Sequence, residues 1–427
     1  MNRPWSRPPR PLPRTAAVAS LATVTALAAT AFTAAHAAPA SPSPSPSPSP
    51  SAHGTTQVVS WAASADRLGA AAQDLTYRLV VHTSAGGSAL RIRLSNAFGE
   101  QPVTFGSAQA GLRASGAAVV PGTNRALTFG GARSVTVPPG GLVHSDPLPG
   151  SVRPGSDLVV SLYVRQAAGR ATGHRMALQT SYVAPLGDHA ADESATPYTR
   201  TVRSWFYLDA VVVDARPGIG AVAALGDSIT DGASSTPDAN RRWPDLLAAR
   251  LNSDPTTRIK GVANEGISGN KVLSDGSGES AEKRLERDVL SQRGVRTMVL
   301  FEGVNDIKAA LAPTAEELIA GYRRIVGRAH AAGVCVVGAT VMPYEGWREW
   351  TAGGEAVRQQ VNAFIRDGGL FDEVVDFDAA VRDPARPSRM LPAYDGGDHL
   401  HPNDAGMRRT AETVDTDQLR CTRRPAR

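Results

Sequence analysis

The apolar run over residues 221–225 stops abruptly at Gly226-Asp227-Ser228, and no other feature of the chain constrains its fold as strongly. A short apolar run bounded by Gly and Asp and followed by helix-forming sequence reads as a buried parallel strand ending in a tight turn. Open α/β sheets place their ligands beyond the carboxyl ends of such strands. A serine on that turn can expose its hydroxyl while its backbone N–H points into the same cavity, so one residue can supply both a nucleophile and an oxyanion donor. The plain alternative is a strand-to-helix loop in which Ser228 serves as N-cap.

Further apolar runs at 258–263, 296–301, 334–340 and 373–377 alternate with helical patterns at 243–252, 315–332 and 355–366. Such alternation predicts a parallel sheet with helices on both faces and right-handed crossovers. The preceding stretch, 55–215, has a different texture. Residues 77–82 and 90–95 alternate apolar and polar, and short runs follow at 126–129, 134–137, 157–164 and 204–213, separated by Gly and Pro clusters. Many short strands with turn punctuation predict a β-sandwich or jelly-roll-like domain, whose architecture does not by itself license a function.

Three segments bear on the chemistry of Ser228. A serine hydroxyl needs a base that takes its proton and later returns it, and histidine suits that task near neutral pH. In Asp395-Gly396-Gly397-Asp398-His399-Leu400-His401-Pro402-Asn403, Asp398 and His401 lie three apart on one turn and can supply base and orienting carboxylate together. His399 is the competing base, although its adjacency to Asp398 makes the ring-to-carboxylate geometry harder. Phe301-Glu302-Gly303-Val304-Asn305-Asp306 follows the third apolar run, so the Asn305 amide can reach an oxyanion; the alternative is an Asn-Asp turn. Asn264-Glu265-Gly266-Ile267-Ser268-Gly269-Asn270 follows the second run, and glycine there permits close backbone approach to a ligand.

These four blocks, in this order, resemble the SGNH superfamily of serine esterases, also called GDSL hydrolases. The resemblance spans roughly residues 220–419, about half the chain. It implies a flavodoxin-like three-layer α/β/α sheet, with Ser228 as nucleophile and first oxyanion donor. Gly269 is implied as the second donor through its backbone, with Gly266 nearby in the same block, and Asn305 as the third through its amide. His401 is implied as the base and Asp398 as its partner. The reaction implied is hydrolysis of an ester through an acyl-serine intermediate.

With 427 residues the chain has room for two domains, preceded by processing sequence. Arg3, Arg7, Arg10 and Arg14, the Ala-rich run 15–34 and Ala35-His36-Ala37 read as a secretory signal peptide over 1–37 rather than a membrane anchor. A Ser/Pro-rich linker follows over 38–54. The catalytic domain is placed at 216–420 and a basic tail at 421–427. The net charge of +5 is carried by the two ends: without the signal arginines and Arg420, Arg423, Arg424 and Arg427 the rest is about −3. No basic face for nucleic acid is indicated. The nine histidines are scattered except for His399 and His401, so no zinc spacing is present, and neither metal nor cofactor is expected.

Only two cysteines occur, Cys335 and Cys421. The helix after His401 is expected to run back from the active-site edge and bring Cys421 toward the start of Cys335's strand. A disulfide suits a secreted protein; a buried free Cys335 is the alternative. The segment Met342-Pro343-Tyr344-Glu345-Gly346-Trp347-Arg348-Glu349-Trp350 follows the fourth strand and hangs over the same edge. There Tyr344, Trp347 and Trp350 form a platform for substrate, or pack the loop against the β domain. The loop is polar and glycine-rich, which favours a short acyl group on a polar or polysaccharide carrier. A lysophospholipase or broad short-chain lipase is the second reading, and a non-catalytic glycan-binding protein the third. Oligomeric state is not legible.

Overall fold

The computed structural model describes residues 54–308 and 313–420. The expected signal peptide, all of the Ser/Pro linker before Gly54, and the basic tail lie outside them.

Thr56 to Ala215 is antiparallel β structure. One sheet runs Thr56–Ala62, Leu208–Ala215, Gly87–Ser95, Leu148–Val152 in spatial order, with Leu142–His144 also paired to Gly87–Ser95. A larger sheet centres on Leu75–His82, Asp157–Gln166 and Val103–Ser115. Alternate residues of one strand face one side, so Leu75, Tyr77, Leu79 and Val81 of the larger sheet meet Leu90, Ile92 and Leu94 of the smaller in one apolar core. Two expected strands are shorter than their sequence pattern. In 126–129 the strand ends at Ala126, and Phe129 makes an isolated bridge to Ala132 around Gly130-Gly131. The run 204–213 is broken at Tyr207, whose φ of 62° turns the chain between Trp205–Phe206 and Leu208–Ala215.

The second half is a five-stranded parallel sheet. In chain order its strands are Gly220–Gly226, Ile259–Gly266, Val295–Phe301, Cys335–Ala339 and Glu373–Val375, and their spatial order is second, first, third, fourth, fifth. The first strand is buried along its whole length, as a central strand covered on both faces should be. The second runs to Gly266, past the end of its apolar run, because the polar Glu265 is fully buried and hydrogen-bonded there.

Helix boundaries follow their caps. Ala315–Ala331 opens with a capping box in which Thr314 and Glu317 bond each other's backbone N–H. Leu318, Tyr322, Ile325, Val326 and Ala329 face the core. Ala352–Asp367 begins earlier than its apolar periodicity, because Thr351 accepts the Gly354 N–H and so caps a glycine-containing first turn.

The two halves share one core. Val58, Val59, Ala62, Ala210 and Val213 pack in the same cluster as Ala221, Leu225, Leu285, Val289 and Met298. Ala63 bridges in parallel to Asn264, so the N-terminal strand covers the edge strand of the parallel sheet, which would otherwise present unpaired backbone groups. At the opposite end of the sheet the Thr297 hydroxyl donates to the Leu419 carbonyl at 2.7 Å, and Thr297 lies beside Cys335. The chain therefore does run back to the start of the fourth strand. Cys335 has no free thiol; Cys421, and with it the expected pairing, lies outside the described residues.

Candidate active site

Gly226 of the first strand lies opposite both Gly266 of the second and Phe301 of the third. The three strands thus end level, and the segments carrying Ser228, Gly269 and Asn305 leave the sheet side by side. The turn after the first strand packs tightly: a Cβ on Gly226 would overlap the Thr230 side chain and the Phe301 carbonyl. Ser228 opens the short helix Ser228–Asp231, but it is not the cap. Asp227 is, its carboxylate accepting the Ile229 N–H at 2.9 Å. The serine hydroxyl is left free for another partner.

That partner is His401. Ser228 Oγ lies 2.8 Å from His401 Nε2, and His401 Nδ1 lies 2.6 Å from Asp398 Oδ2. Asp398 Oδ1 also accepts the backbone N–H groups of Leu400 and His401, at 3.0 and 2.9 Å. Partial burial pushes the Asp398 carboxyl up, but the hydrogen bonds from His401 and Leu400 outweigh it and hold the group below the ordinary carboxylate value. The competing His399 is engaged elsewhere: its Nδ1 lies 2.6 Å from Asp395 Oδ2, and its φ is 67°.

The second and third loops are bonded to each other. Asn305 Nδ2 donates to the Asn270 carbonyl at 2.8 Å, and Asp306 accepts the N–H groups of Val272 and Leu273 at 2.8 and 3.0 Å. Asp306 and Asp227 are thus turn and loop ties. Burial raises both carboxyls above the usual range, the Asp227 group against the pull of the Ile229 N–H and His401. Gly269 has φ +83°, and a Cβ there would run into Ser277, so any side chain would be strained. Among the described residues no group of three or more His, Cys, Asp or Glu is placed to hold a metal ion. No helix there is long and apolar enough to cross a membrane.

The aromatic loop differs from its expected form. Tyr344 is fully buried in the core of the parallel-sheet half and cannot meet substrate. Trp350 is partly buried and packs against the same core with its indole Nε1 buried. The loop rests on the parallel-sheet half rather than on the β domain: the Glu345 N–H bonds the Ser388 carbonyl, and Gly346 abuts the His399 ring. Only Trp347 reaches the site. Its ring stands edge-on to His401 with centroids 5.9 Å apart, and the Lys308 and Arg348 cations lie over it at 5.0 and 5.5 Å. Periodicity gave no hint of this split, because the depth of each aromatic is set by the segments packed against the loop.

Sequence reasoning missed two buried groups beneath the site. Arg284, fully buried, donates to the Gly226 and Glu265 carbonyls at 2.9 and 2.7 Å, to Asn270 Oδ1 at 2.9 Å and to Ser64 Oγ at 2.9 Å. It thereby ties two strand ends, the second loop and the β domain together. His174 of the β domain reaches Asp231, in the turn after Ser228, at 2.9 Å. Nothing local marks either residue, since their partners lie far away in the chain.

A hydroxyl, an imidazole and a carboxylate in series at the carboxyl edge of a parallel sheet, with amide donors beside them, define a site suited to acyl transfer. Residues 224–409 match the model of the GDSL-like Lipase/Acylhydrolase family, and this part of the chain is a GDSL-like acylhydrolase domain, a carboxylic ester hydrolase. No curated protein matches the chain. Among solved structures it is similar to a carbohydrate acetylesterase from Sinorhizobium meliloti (19% identity, 47% of this chain and 98% of that chain, TM-score 0.37). It is also similar to the aryl esterase of M. smegmatis (18%, 47% and 98%, TM-score 0.38). A third is a GDSL-like lipase from Bacteroides thetaiotaomicron VPI-5482 (18%, 47% and 88%, TM-score 0.36).

Proposed function

We propose that the protein is a secreted serine esterase that removes short acyl groups, acetyl foremost, from a polar or carbohydrate carrier. The observation that carries the chemistry is the unbroken series from Ser228 Oγ through His401 to Asp398. His401 Nε2 takes the Ser228 proton as Oγ attacks the ester carbonyl carbon. The resulting oxyanion rests on the N–H groups of Ser228 and Gly269 and on the Asn305 amide. As the carbonyl–alcohol bond breaks, His401 gives its proton to the leaving alkoxide. Water then attacks the acyl-serine, losing its proton to His401, which returns it to Ser228. Asp398 holds the ring and stabilises its charged form throughout.

The strand order second, first, third, fourth, fifth supports a flavodoxin-like reading of the sheet. The core shared by two antiparallel sheets supports a sandwich-like β domain. A polar carrier is supported by the rim beside His401, where Trp347 lies among Lys308, Arg348 and Glu349. Secretion is supported by the basic start, the Ala-rich run and Ala35-His36-Ala37. A new amino terminus near Ala38 in culture medium would uphold it, and full-length protein retained in cells would refute it.

Hydrolysis of 4-nitrophenyl esters from acetate to palmitate by the wild type and Ser228→Ala tests the chemistry. Fast acetate cleavage that declines with chain length and is absent in the variant is expected. A preference for long chains would make the protein a lipase, and activity in Ser228→Ala would remove Ser228 as nucleophile.

A further inference from the structure

His174 sits on the last residue of the β-domain strand Arg170–His174 and is buried at 5 % exposure. With Asp231 ionised, both of its ring nitrogens face oxygens that accept. Nδ1 lies 2.9 Å from the Ser64 carbonyl, and Nε2 lies 2.9 Å from Asp231 Oδ1 and 3.2 Å from the Met176 carbonyl. A neutral imidazole carries one N–H and one lone pair, so in either tautomer a lone pair would point at an oxygen. Paired with an ionised Asp231, the ring therefore carries a proton on both nitrogens, that is, it is an imidazolium. Its counter-charge is the Asp231 carboxylate, itself 3 % exposed. The other nearby cation, Arg242, lies over the Trp205 ring and is already paired with Asp245 at 2.7 Å. Burial alone pushes the His174 imidazole down; the charge of Asp231 and the bonds to it, Ser64 and Met176 outweigh that and leave it above its ordinary value.

The second oxygen of Asp231 is spent on the second loop of the site. Oδ2 accepts the Ser268 N–H at 2.9 Å and the Ser268 hydroxyl at 2.6 Å. Ser268 is thus held at both its backbone and its side chain, one residue before Gly269. An oxyanion donor acts only when its N–H is fixed where the charge will appear, and a displacement of about 1 Å can cost about a hundredfold in rate.

We propose that His174 is a positioning residue for catalysis: as an imidazolium it fixes Asp231, which clamps Ser268 and so sets the Gly269 N–H in the oxyanion hole. The β domain on this reading completes the active site instead of binding substrate. The inference rests on the assignment of Ser228 and Gly269 made above. Without His174, Asp231 is a buried carboxylate stripped of its paired cation, and such a group is stabilised only by moving toward water or another donor. Either way Asp231 moves and Ser268 loses its fixed acceptor, while no group that binds the ground-state substrate is touched. The cost should therefore fall on kcat and leave KM nearly unchanged.

The test is the steady-state hydrolysis of 4-nitrophenyl acetate by the full chain and by H174Q, D231N, H174Q/D231N and S228A. Glutamine keeps the length and one N–H donor of His174 but not its charge. H174Q and D231N are each expected to lower kcat about tenfold or more with KM within about twofold. The double variant, in which both charges are gone and amide can bond amide, is expected to regain most of that loss, which two independent structural lesions would not do. If H174Q does not fold, the same comparison is made between D231N and the double variant, with recovery of kcat again expected. Wild-type kcat in the single variants, beside an inactive S228A, would overturn the role of His174 alone. Full activity in S228A would overturn the site assignment and this inference with it.

Discussion

The Asn305 side chain has two N–H groups, and one of them is committed to the Asn270 carbonyl at 2.8 Å. That bond orients the amide so that the second N–H is the one available to an oxyanion. Asn305→Ala should therefore lower kcat by about a hundredfold or more with a small change in KM, because the lost bond strengthens only as charge develops. An unchanged kcat would leave Asn305 as a loop tie only. The two histidines of the C-terminal loop should separate just as sharply. His401→Asn should remove activity, whereas His399→Asn should keep kcat within about twofold, since His399 is half exposed and bonds only Asp395. A loss in His399→Asn equal to that in His401→Asn would overturn the assignment of the base. The geometry around Ser228 and His401 was legible because each chemical role depends on spacing within one short segment: Asp398 reaches the ring of His401 within one turn. Tyr344 was misread for the opposite reason. Its burial depends on helix 352–367 and on the core beneath, to which loop composition carries no pointer. His174 was invisible because its partner lies 57 residues away.

Glu265 and Arg284 show how an element is held where the apolar pattern fails. The second strand carries a polar residue just before its end, yet Glu265 is fully buried, accepting hydrogen bonds from Ser64 Oγ at 2.7 Å and Gln292 Nε2 at 2.8 Å. Burial, reinforced by the neighbouring Asp288 charge, raises its carboxyl well above the ordinary range, against the pull of Arg93 and Arg284. The sign of the resulting pH dependence follows from proton binding. Where the folded carboxyl holds a proton that the unfolded one has lost, the folded state binds more protons, and stability falls as pH rises. The penalty is absent below the unfolded value near 4.5, grows above it and levels off past the raised folded value. Glu265→Gln, which keeps the shape without the ionisation, should be at least as stable as wild type at pH 8. Its advantage should shrink toward pH 4, and thermal denaturation across that range measures it. A variant much less stable than wild type at pH 8 would show instead that Glu265 is needed as an anion. Arg284 has no such tolerance. It is fully buried with five donor contacts, and Arg284→Ala should cost about 3–5 kcal/mol, as expected for one partner removed from a buried charged network. The alternation of strand and helix was readable along this half because each crossover repeats the same pattern. The pins between the elements were not, because buried polar residues look like surface in a sequence.

At the scale of the molecule, the change of texture near residue 215 suggests two independent domains, but the packing joins them. Val58, Val59, Ala62, Ala210 and Val213 lie in the same core as the first parallel strand. The Val59 N–H bonds the Arg293 carbonyl at 2.8 Å, Ser84 Oγ accepts the Val262 N–H at 2.8 Å, and Ala63 bridges to Asn264. A chain that lacked residues 55–215 would uncover the edge of the parallel sheet together with the apolar surface these residues cover. Fully exposing one large apolar side chain costs about 1.5–3 kcal/mol. A few such exposures approach the whole margin of about 5–15 kcal/mol that separates folded from unfolded protein. The piece 216–427 expressed alone should therefore be insoluble or lack a cooperative thermal transition, and an uncovered edge strand adds the risk of edge-to-edge aggregation. For the same reason the chain from residue 55 onward should unfold in one calorimetric transition, with near-ultraviolet signals of β-domain Trp61 and Trp205 lost at the temperature where ester hydrolysis is lost. Two separated transitions, or a soluble 216–427 with undiminished kcat/KM, would show that the shared core contributes little and that the β domain is an appendage.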